Sequence, residues 1–594
     1  MEKIKKIKTM FKTIVIALVI FQACKKTNPI TTSTGDTTNT VTIITGKDPA
    51  IASTQGFFLD NWKPKTFTAP TTVQATKPSA DGAVQVNVDL SQITTKVSKY
   101  LFGNNLNPFM GQLVTESVLM NNITSLAPNI IRAPGGSLSD VYFWNADGSS
   151  IPAPADAPVN LLNNNGASSA AYYWFGNNTA NWTLTIDNYY KVLQQTNSTG
   201  LITVNYGYAR YGTSAHPDQT AAHLAADWVR YDKGKTQYWE VGNENYGNWE
   251  AGYRIDVSKN KDGQPEILTG SIYGTHFKVF ADSMRAAAAE VGNTNIKIGI
   301  VLTNANDKNS NQGWVNNWNA DVLSSAGNTA DFFVVHDYYT PYGQNSSASV
   351  ILNTPVPETN STMSWVKTSV QNAGVTQKPV ALDEWNIQAT GSFQEVSNIA
   401  GLHAVMVLGE ALKNQFSMAS RWDLANAWVQ NNVAGDDMGM FSNSSNSSEA
   451  EPGAPAWNAR PAFYYMYFFQ NYFGDRMVSS TVSGSSDIAA YGSSFSSGQA
   501  GVILVNQGNT IHNVTVSFKN FLAGSKYYYY VLNGGTDNNP FSRQVYVNSS
   551  GPANGVSGGP ANYSNLAAYT ASTSGGVIIN VPAYSAVFLV ADKP

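Results

Sequence analysis

Residues 273–301 read YGTHFKVFADSMRAAAAEVGNTNIKIGIV, an amphipathic stretch followed by a short apolar run. Phe277, Phe280, Met284 and Ala288 recur at helical spacing and would share one face of a helix. The run IKIGIV is rich in β-branched residues and predicts a buried strand. The stretch therefore predicts one helix and one strand of a repeating α/β fold.

The same pairing recurs along the middle of the chain. The apolar runs are 100–106, 129–133, 201–206, 237–242, 296–301, 331–337, 379–384 and 417–422. The helical segments are 113–126, 180–197, 218–232, 273–291, 312–326, 361–373, 395–414 and 458–473. This alternation predicts an α/β chain folded as a parallel (β/α)₈ TIM barrel, with its chemistry at the C-terminal ends of the strands. We assign the barrel to residues 101–474 and expect the long connection 134–179 to be functional.

The pattern changes after the barrel. Residues 475–594 contain alternating strands such as AGVILVNQ and SAVFLVAD, broken by Gly, Asn and Ser. They predict an appended antiparallel β-sandwich. Residues 83–100 also contain strand patterns, and we expect them to join this sandwich.

The N-terminus has the pattern of an export signal. Five lysines precede the apolar run TIVIALVIFQA at 13–23, and Cys24, the one cysteine of the chain, follows directly. This pattern predicts a lipoprotein signal peptide at 1–23 with lipidation at Cys24, although an ordinary signal peptide beside an incidental cysteine would look alike. The Thr-rich residues 24–82 then predict a lipid-anchored tether, with an aromatic segment near 57–67 that docks on the body. The predicted location is a bacterial membrane, the outer membrane, on its periplasmic or surface face.

The composition excludes several classes of function. Lys and Arg number 36 against 40 Asp and Glu, so no basic excess favours nucleic acid. The six histidines form no H-E-x-x-H motif or other close ligand pair, and we expect no metal site. Phosphate-binding glycine loops are missing from the sequence, and no cofactor is implied. Aromatic residues make up 12%, which suits stacking on sugar rings, although most must fill the core.

Two predicted strands end in carboxylates. The fourth ends in Trp239-Glu240-Val241-Gly242-Asn243-Glu244, and the seventh in Leu382-Asp383-Glu384-Trp385. Glu244 and Glu384 would converge at the barrel mouth, and two carboxylates ~5–5.5 Å apart define a retaining glycosidase. Glu240 and Asp383 are close competitors, and strand alternation would let only one residue of each pair reach the mouth.

These segments carry a family resemblance. WEVGNENYG and ALDEWNI resemble clan A of the glycoside hydrolases, most of all family 51, which holds α-L-arabinofuranosidases and some endoglycanases. The resemblance covers residues 83–594 and implies a two-Glu double displacement. It implies Glu244 as acid/base, Glu384 as nucleophile, Asn243 as the holder of a sugar hydroxyl, Arg132 in IIRAPGG as the buttress of the nucleophile, and His336 and Tyr338 in VVHDYY as the strand-six H-x-Y pair. Arg132 could instead form a structural ion pair, and His336 could be a core histidine.

One position departs from that family. Ser137 stands where family 51 usually has an Asn that contacts the sugar, so the furanose subsite differs. Trp385 and Trp422 flank strand ends and are the expected sugar platforms. The predicted function is an arabinofuranosidase-like hydrolase of plant or algal polysaccharide or oligosaccharide. The alternatives are an endo-β-glycanase of the same clan and a non-catalytic glycan-binding lipoprotein.

Overall fold

The structure is a computed structural model. It describes residues 43–79, 82–305, 315–390, 392–428, 438–443, 450–535 and 539–594. The predicted signal peptide, Cys24 and the predicted tether up to residue 42 lie outside the described residues.

Eight parallel strands close into a barrel. They are β1 (Gly103–Asn105), β2 (Ile130–Ala133), β3 (Thr199–Val204), β4 (Tyr238–Val241), β5 (Lys297–Val301), β6 (Phe332–Tyr338), β7 (Val380–Asn386) and β8 (Met418–Arg421). Each strand pairs with its neighbours in chain order, and β8 pairs with β1. Every predicted apolar run overlaps one of them, so the predicted barrel is confirmed.

Helices surround the barrel. The main ones are α1 (Ser117–Leu126), α2 (Ile186–Thr196), α3 (Pro217–Asp232), α4 (Gly270–Glu290), α5 (Val315–Ala326), α6 (Pro355–Ala373), α7 (Asn398–Lys413) and α8 (Pro461–Tyr472). The apolar stripe predicted on α4 is its inner face, since Phe277, Phe280, Met284 and Ala288 are all buried. None of the described helices combines the length and apolar character needed to cross a membrane.

A segment before the barrel closes its N-terminal end. Phe58 is buried there and stacks on Tyr238, with ring centroids 4.8 Å apart. Tyr100 and Phe332 contact the Phe58 ring edge-on. Thr54 extends the contact by accepting a hydrogen bond from the backbone of Val380. Phe58, from the aromatic segment near 57–67, thus packs against aromatic side chains at the start of strands β4 and β6.

The predicted tether differs from the structure where residues are described. Asp48, inside the stretch expected to be flexible, pairs with Arg476 and Lys96. Thr54 and Gln55 are buried, and Thr72–Gln74 forms a short strand. Threonine-rich composition suggested a flexible chain, but ion pairs and backbone pairing hold this part on the body.

The C-terminal residues form a large, mostly antiparallel sheet. Its order is Thr72–Gln74, Ala568–Ser572, Lys526–Asn533, Ser585–Ala591, Ala500–Asn506, Ile488–Ser494, Arg476–Ser483, Val84–Lys96, His512–Lys519 and Val577–Val581, with Tyr546–Val547 beside Lys526–Asn533. Strands distant in this order share one apolar core, so the sheet folds over on itself. The predicted appended β domain is confirmed.

Candidate active site

Strand β4 ends in a tight turn that carries Asn243 and Glu244. Gly242 has φ 78°, and a Cβ there would lie 2.1 Å from Asn245 Oδ1, so only glycine fits. Glu244 has φ 41°, a left-handed conformation that is uncommon for residues with side chains. Backbone strain of this kind clusters at functional sites.

Glu384 lies on β7 with both carboxylate oxygens held. Tyr338 Oη on β6 donates a 2.8 Å hydrogen bond to Oε1. Arg132 Nη1 on β2 donates one of 2.9 Å to Oε2. Two donors from two different strands therefore fix the orientation of this carboxylate.

Arg132 connects four strands through one guanidinium group. Its Nε donates to Glu240 Oε2 at 2.7 Å, and its Nη2 to Asn243 Oδ1 at 2.9 Å. Besides Glu384, Nη1 also contacts Asn105 Oδ1 at 3.0 Å. Arg132 is fully buried and forms a structural ion pair and a buttress for Glu384 at once.

His336 lies between the two expected catalytic carboxylates. Its Nδ1 is 2.9 Å from Glu244 Oε1 and 3.7 Å from Glu384 Oε2. On the other side of the ring, Nε2 is 3.3 Å from Asp383 Oδ1. His336 is buried, but carboxylates surround its ring nitrogens, so it belongs to the charged cluster of the site and not to the apolar core.

One residue of each carboxylate pair is exposed at the mouth, but strict strand alternation does not hold at Asp383 and Glu384. The register between β6 and β7 shifts after Val335, so that His336 lies opposite Glu384. This bulge lets both Asp383 and Glu384 approach His336. Glu240 and Asp383 also face the barrel interior, where the Arg132 Nε lies within 4 Å of both.

Exposure separates the four carboxylates. The side chains of Glu240 and Asp383 are fully buried, whereas those of Glu244 and Glu384 are 15% and 6% exposed. A carboxylate oxygen of Glu244 and one of Glu384 lie within 4.8 Å of each other. Only this pair is both close together and accessible from the mouth.

Burial and charge set the protonation of the site. Burial most strongly raises the pKa of Glu384 above its usual range, although His336 and Arg132 oppose it. Burial also raises the pKa of Glu244, but the hydrogen bond and charge of His336 outweigh it and leave that pKa below its usual range. For His336 burial lowers the pKa, while the charge of Glu384 and the bonds to Asp383 and Glu244 raise it well above its usual value. The opposite directions of the Glu244 and His336 pKa values follow from their direct contact, which favours the charged form of both groups.

The tryptophans do not all fit the predicted role. Trp385 is fully buried, so it cannot stack on a sugar, and its prediction as a platform is wrong. It follows Glu384 on the strand and packs in the hydrophobic core. Trp422 is half-buried, and its ring lies so close to Gly136 that a Cβ there would be 2.5 Å from Cη2. Trp249 is 59% exposed, and its Nε1 donates to Glu244 Oε2 at 3.1 Å.

Two buried acids near the mouth were missed by sequence reasoning. Asp140 accepts hydrogen bonds from the backbone of Gly207 and from the Asn245 side chain, and burial raises its pKa to about 7. Glu250 accepts 2.8 Å and 3.0 Å hydrogen bonds from Ser137 and Asn243. In a chain with only 13% charged residues, a second Glu six positions after Glu244 was the available signal.

Two sets of side chains have the spacing of metal ligands. They are Glu240, His336 and Asp383, and Glu244, His336 and Glu384. Both share His336 and both include a carboxylate bonded to the Arg132 guanidinium, which supplies positive charge at this place. The arrangement is that of carboxylates balanced by protein cations, and we assign no metal to it.

The protein is a closed eight-stranded parallel barrel with an appended β domain, and two carboxylates approach each other at the barrel mouth. No protein-family model matches the chain, and no curated protein matches it in sequence. Solved structures do match. The α-L-arabinofuranosidase from Thermotoga maritima is 16% identical, with a TM-score of 0.57, over 85% of this chain and 99% of that one.

Two further structures extend the comparison. A family 51 α-L-arabinofuranosidase from Bifidobacterium longum is 14% identical, with a TM-score of 0.58, over 86% of this chain and 99% of that one. A family 44 xyloglucanase from Paenibacillus polymyxa is 12% identical, with a TM-score of 0.54, over 86% and 99%. The predicted resemblance to clan A and to family 51 is thus confirmed for the fold.

Proposed function

We propose that this chain is a retaining glycoside hydrolase that uses Glu384 as nucleophile and Glu244 as acid/base. The observation that carries the proposal is the approach of the two carboxylates within 4.8 Å at the mouth of the barrel. That separation suits a covalent intermediate, whereas inverting enzymes leave roughly 6.5–9.5 Å for a water molecule.

In the first step a carboxylate oxygen of Glu384 attacks the anomeric carbon. The bond to the leaving oxygen breaks as that oxygen takes a proton from Glu244. At rest that proton is on His336, whose Nδ1 lies 2.9 Å from Glu244 Oε1, and it passes to Glu244 as the leaving oxygen is protonated. Arg132 and Tyr338 hold Glu384 in place, which lowers the cost of orienting it.

In the second step Glu244 takes a proton from water, and the water oxygen attacks the anomeric carbon. The bond to Glu384 breaks, which releases a sugar of the original anomeric configuration. The greater exposure of Glu244 supports this division of roles, because the acid/base must meet both the leaving group and water.

The sugar at the cleavage site is proposed to be an arabinofuranose or a related unit of plant or algal polysaccharide. Support comes from the fold likeness to arabinofuranosidases. The Ser137 hydroxyl donates a hydrogen bond to Glu250. The sugar contact that an Asn usually makes at this position in family 51 is therefore rearranged here. The test is hydrolysis of a panel of 4-nitrophenyl glycosides, including the α-L-arabinofuranoside and the β-D-xyloside and β-D-glucoside.

An endo-acting glycanase is the second candidate, and one surface favours it. Tyr172, Trp174 and Trp182 form a row of edge-to-face rings in the connection after β2. Tyr172 and Trp182 are exposed, and residues 172–185 contain no charged side chain. Exposed rings among amides and hydroxyls suit a neutral glycan chain.

The panel assay also tests the non-catalytic alternative. Purified chain should release 4-nitrophenol from at least one glycoside, and the first product seen by proton NMR should keep the anomeric configuration. The Glu384→Gln variant is the matched control, because it keeps the side-chain volume. A wild-type chain that binds polysaccharide but cleaves none of the panel would instead be a glycan-binding protein.

We also propose that the chain is exported and anchored to a bacterial outer membrane through lipid on Cys24. The support is the sequence pattern of the first 24 residues alone.

A further inference from the structure

Glu250 is a buried carboxyl group that the proposed mechanism does not use. It is 4% exposed and lies in the loop that follows the acid/base. One oxygen, Oε1, accepts both the Ser137 hydroxyl at 2.8 Å and the Asn243 amide at 3.0 Å. The other, Oε2, is buried and has no hydrogen-bond partner among the described residues.

The contact with Asn243 decides how that side chain is oriented. Asn243 Oδ1 accepts from Arg132 Nη2, and Asn243 Nδ2 donates to Glu250. A donor at one end and an acceptor at the other determine which way the amide faces. The second N–H of this amide has no acceptor among the described residues, and we expect a substrate hydroxyl to take that place.

The surroundings of Glu250 favour a neutral carboxyl. Its described hydrogen bonds come from a hydroxyl and an amide, and it forms no ion pair with a described residue. Burial and the nearby charges of Asp140 and Glu244 raise its pKa well above the usual range. A neutral Glu250 can hold Asn243 without competing with Glu384 for the positive charge of Arg132.

We propose that Glu250 is a positioning residue that acts through Asn243 on the sugar hydroxyl next to the bond that is cleaved. This inference rests on the proposed function. The Ser137 hydroxyl is also bonded to Glu250. The sugar hydroxyl is therefore recognised by Asn243, in an orientation that Glu250 sets. The Ser137–Glu250–Asn243 chain of hydrogen bonds is then the specificity element that distinguishes this site.

The test compares two substrates and a cycle of variants. The substrates are the aryl glycoside that the wild type cleaves fastest and its 2-deoxy analogue. Glu250→Met should lower kcat/KM on the first by about tenfold to a hundredfold, the effect of losing a buried hydrogen bond. On the 2-deoxy analogue the same variant should lose less than about twofold, since the hydroxyl that Asn243 would hold is missing.

The cycle with Asn243→Ala identifies the route of the effect. If Glu250 acts through Asn243, the double variant should be no worse than Asn243→Ala alone. Glu250→Gln should rescue most of the loss, because its Oε1 can accept the same two bonds as a neutral carboxyl. Glu250→Asp, whose carboxyl is one methylene short of Asn243, provides a second variant if Glu250→Met does not fold.

Three outcomes would overturn the assignment. They are an equal loss on both substrates, additive losses in the double variant, and a failure of Glu250→Gln to rescue. A wild-type chain inactive on every glycoside contradicts the proposed function itself, which separates that failure from one confined to Glu250.

Discussion

His336 Nδ1 and Glu244 Oε1 lie 2.9 Å apart, so the expected acid/base shares a hydrogen bond with a buried imidazole. Four carboxyl groups, from Glu240, Glu244, Asp383 and Glu384, surround two cationic groups, Arg132 and His336. The neighbouring carboxylates raise the pKa of His336 well above its usual value, so the pair formed by His336 and Glu244 keeps a proton.

His336→Gln should narrow the pH profile of kcat/KM from both sides. Without the cation the pKa of Glu384 rises, so the acidic limb, which reports ionisation of the nucleophile, moves to higher pH. The proton held by the pair is lost earlier without the imidazole, so the alkaline limb moves to lower pH. Each shift should be roughly one pH unit. Tyr338→Phe is the control, because it removes a hydrogen bond to Glu384 alone. It should move the acidic limb to higher pH and leave the alkaline limb in place. A profile that keeps its width would contradict the shared proton.

Glu384→Gln should abolish turnover without harming the fold. We expect kcat to fall by several orders of magnitude, with about 1.4 kcal/mol lost for each tenfold. The thermal unfolding midpoint should stay level or rise slightly, because one charge leaves a crowded cluster. A fluorinated or cyclophellitol-type sugar probe should label Glu384 in the wild type, detected by peptide mass. Labelling of Asp383 would show that the wrong residue of the pair was chosen.

The activity of Glu244→Ala should depend on the leaving group of the substrate. Substrates with good leaving groups need little protonation, so partial activity should remain on 2,4-dinitrophenyl glycosides. Natural glycans should be cleaved poorly. Azide should restore turnover by replacing the water that Glu244 activates, and a glycosyl azide should be found by mass spectrometry. An equal loss on both kinds of substrate would exclude Glu244 as the acid.

Trp182→Ala should weaken the binding of polymeric substrates and leave that of small substrates unchanged. If the aromatic row binds a glycan chain, KM for the polysaccharide should rise about two- to tenfold, the effect of losing one ring contact. Values for aryl glycosides should stay the same. Ile511→Ala, at an exposed position of the β domain, is the control. An unchanged KM for every polysaccharide cleaved would remove the support for endo action.

Cys24→Ser should move the protein from membranes to soluble fractions. Lipidation needs the thiol, and the chain has no second cysteine to replace it. Cell fractionation with immunoblotting measures the change, and labelling with a palmitate analogue should be lost in parallel. Membrane association that survives the substitution would mean that something other than this cysteine holds the protein there.

The barrel and the main carboxylates could be predicted because their signals are local. Each strand contains a short apolar run, and Glu384 ends one such run while Glu244 follows another by two residues. The face that a residue occupies depends on register between strands distant in sequence. The bulge opposite Val335 was therefore invisible, and so were the positions of Asp383 and Trp385 that it sets.

The sequence analysis also missed the buried acids Glu250 and Asp140, again because their positions depend on contacts between distant parts of the chain. Glu250 and Asp140 are charged residues in loops, where a solvent-exposed side chain is the usual outcome. Their burial follows from the packing of the β2 connection against the turn after β4, which brings Ser137 to Glu250 and Asp140 to Asn245. No local pattern reports a contact across more than a hundred residues.

The strand Val84–Lys96 has a consequence for the order in which the protein can fold. It lies inside the β domain, between Arg476–Ser483 and His512–Lys519, yet it precedes the whole barrel in the chain. A ribosome makes this strand early and its partners last, so it waits unpaired while the barrel is synthesised. Closing so long a loop is slow, which makes completion of the β domain a late event. Truncations at either end would therefore damage the same sheet.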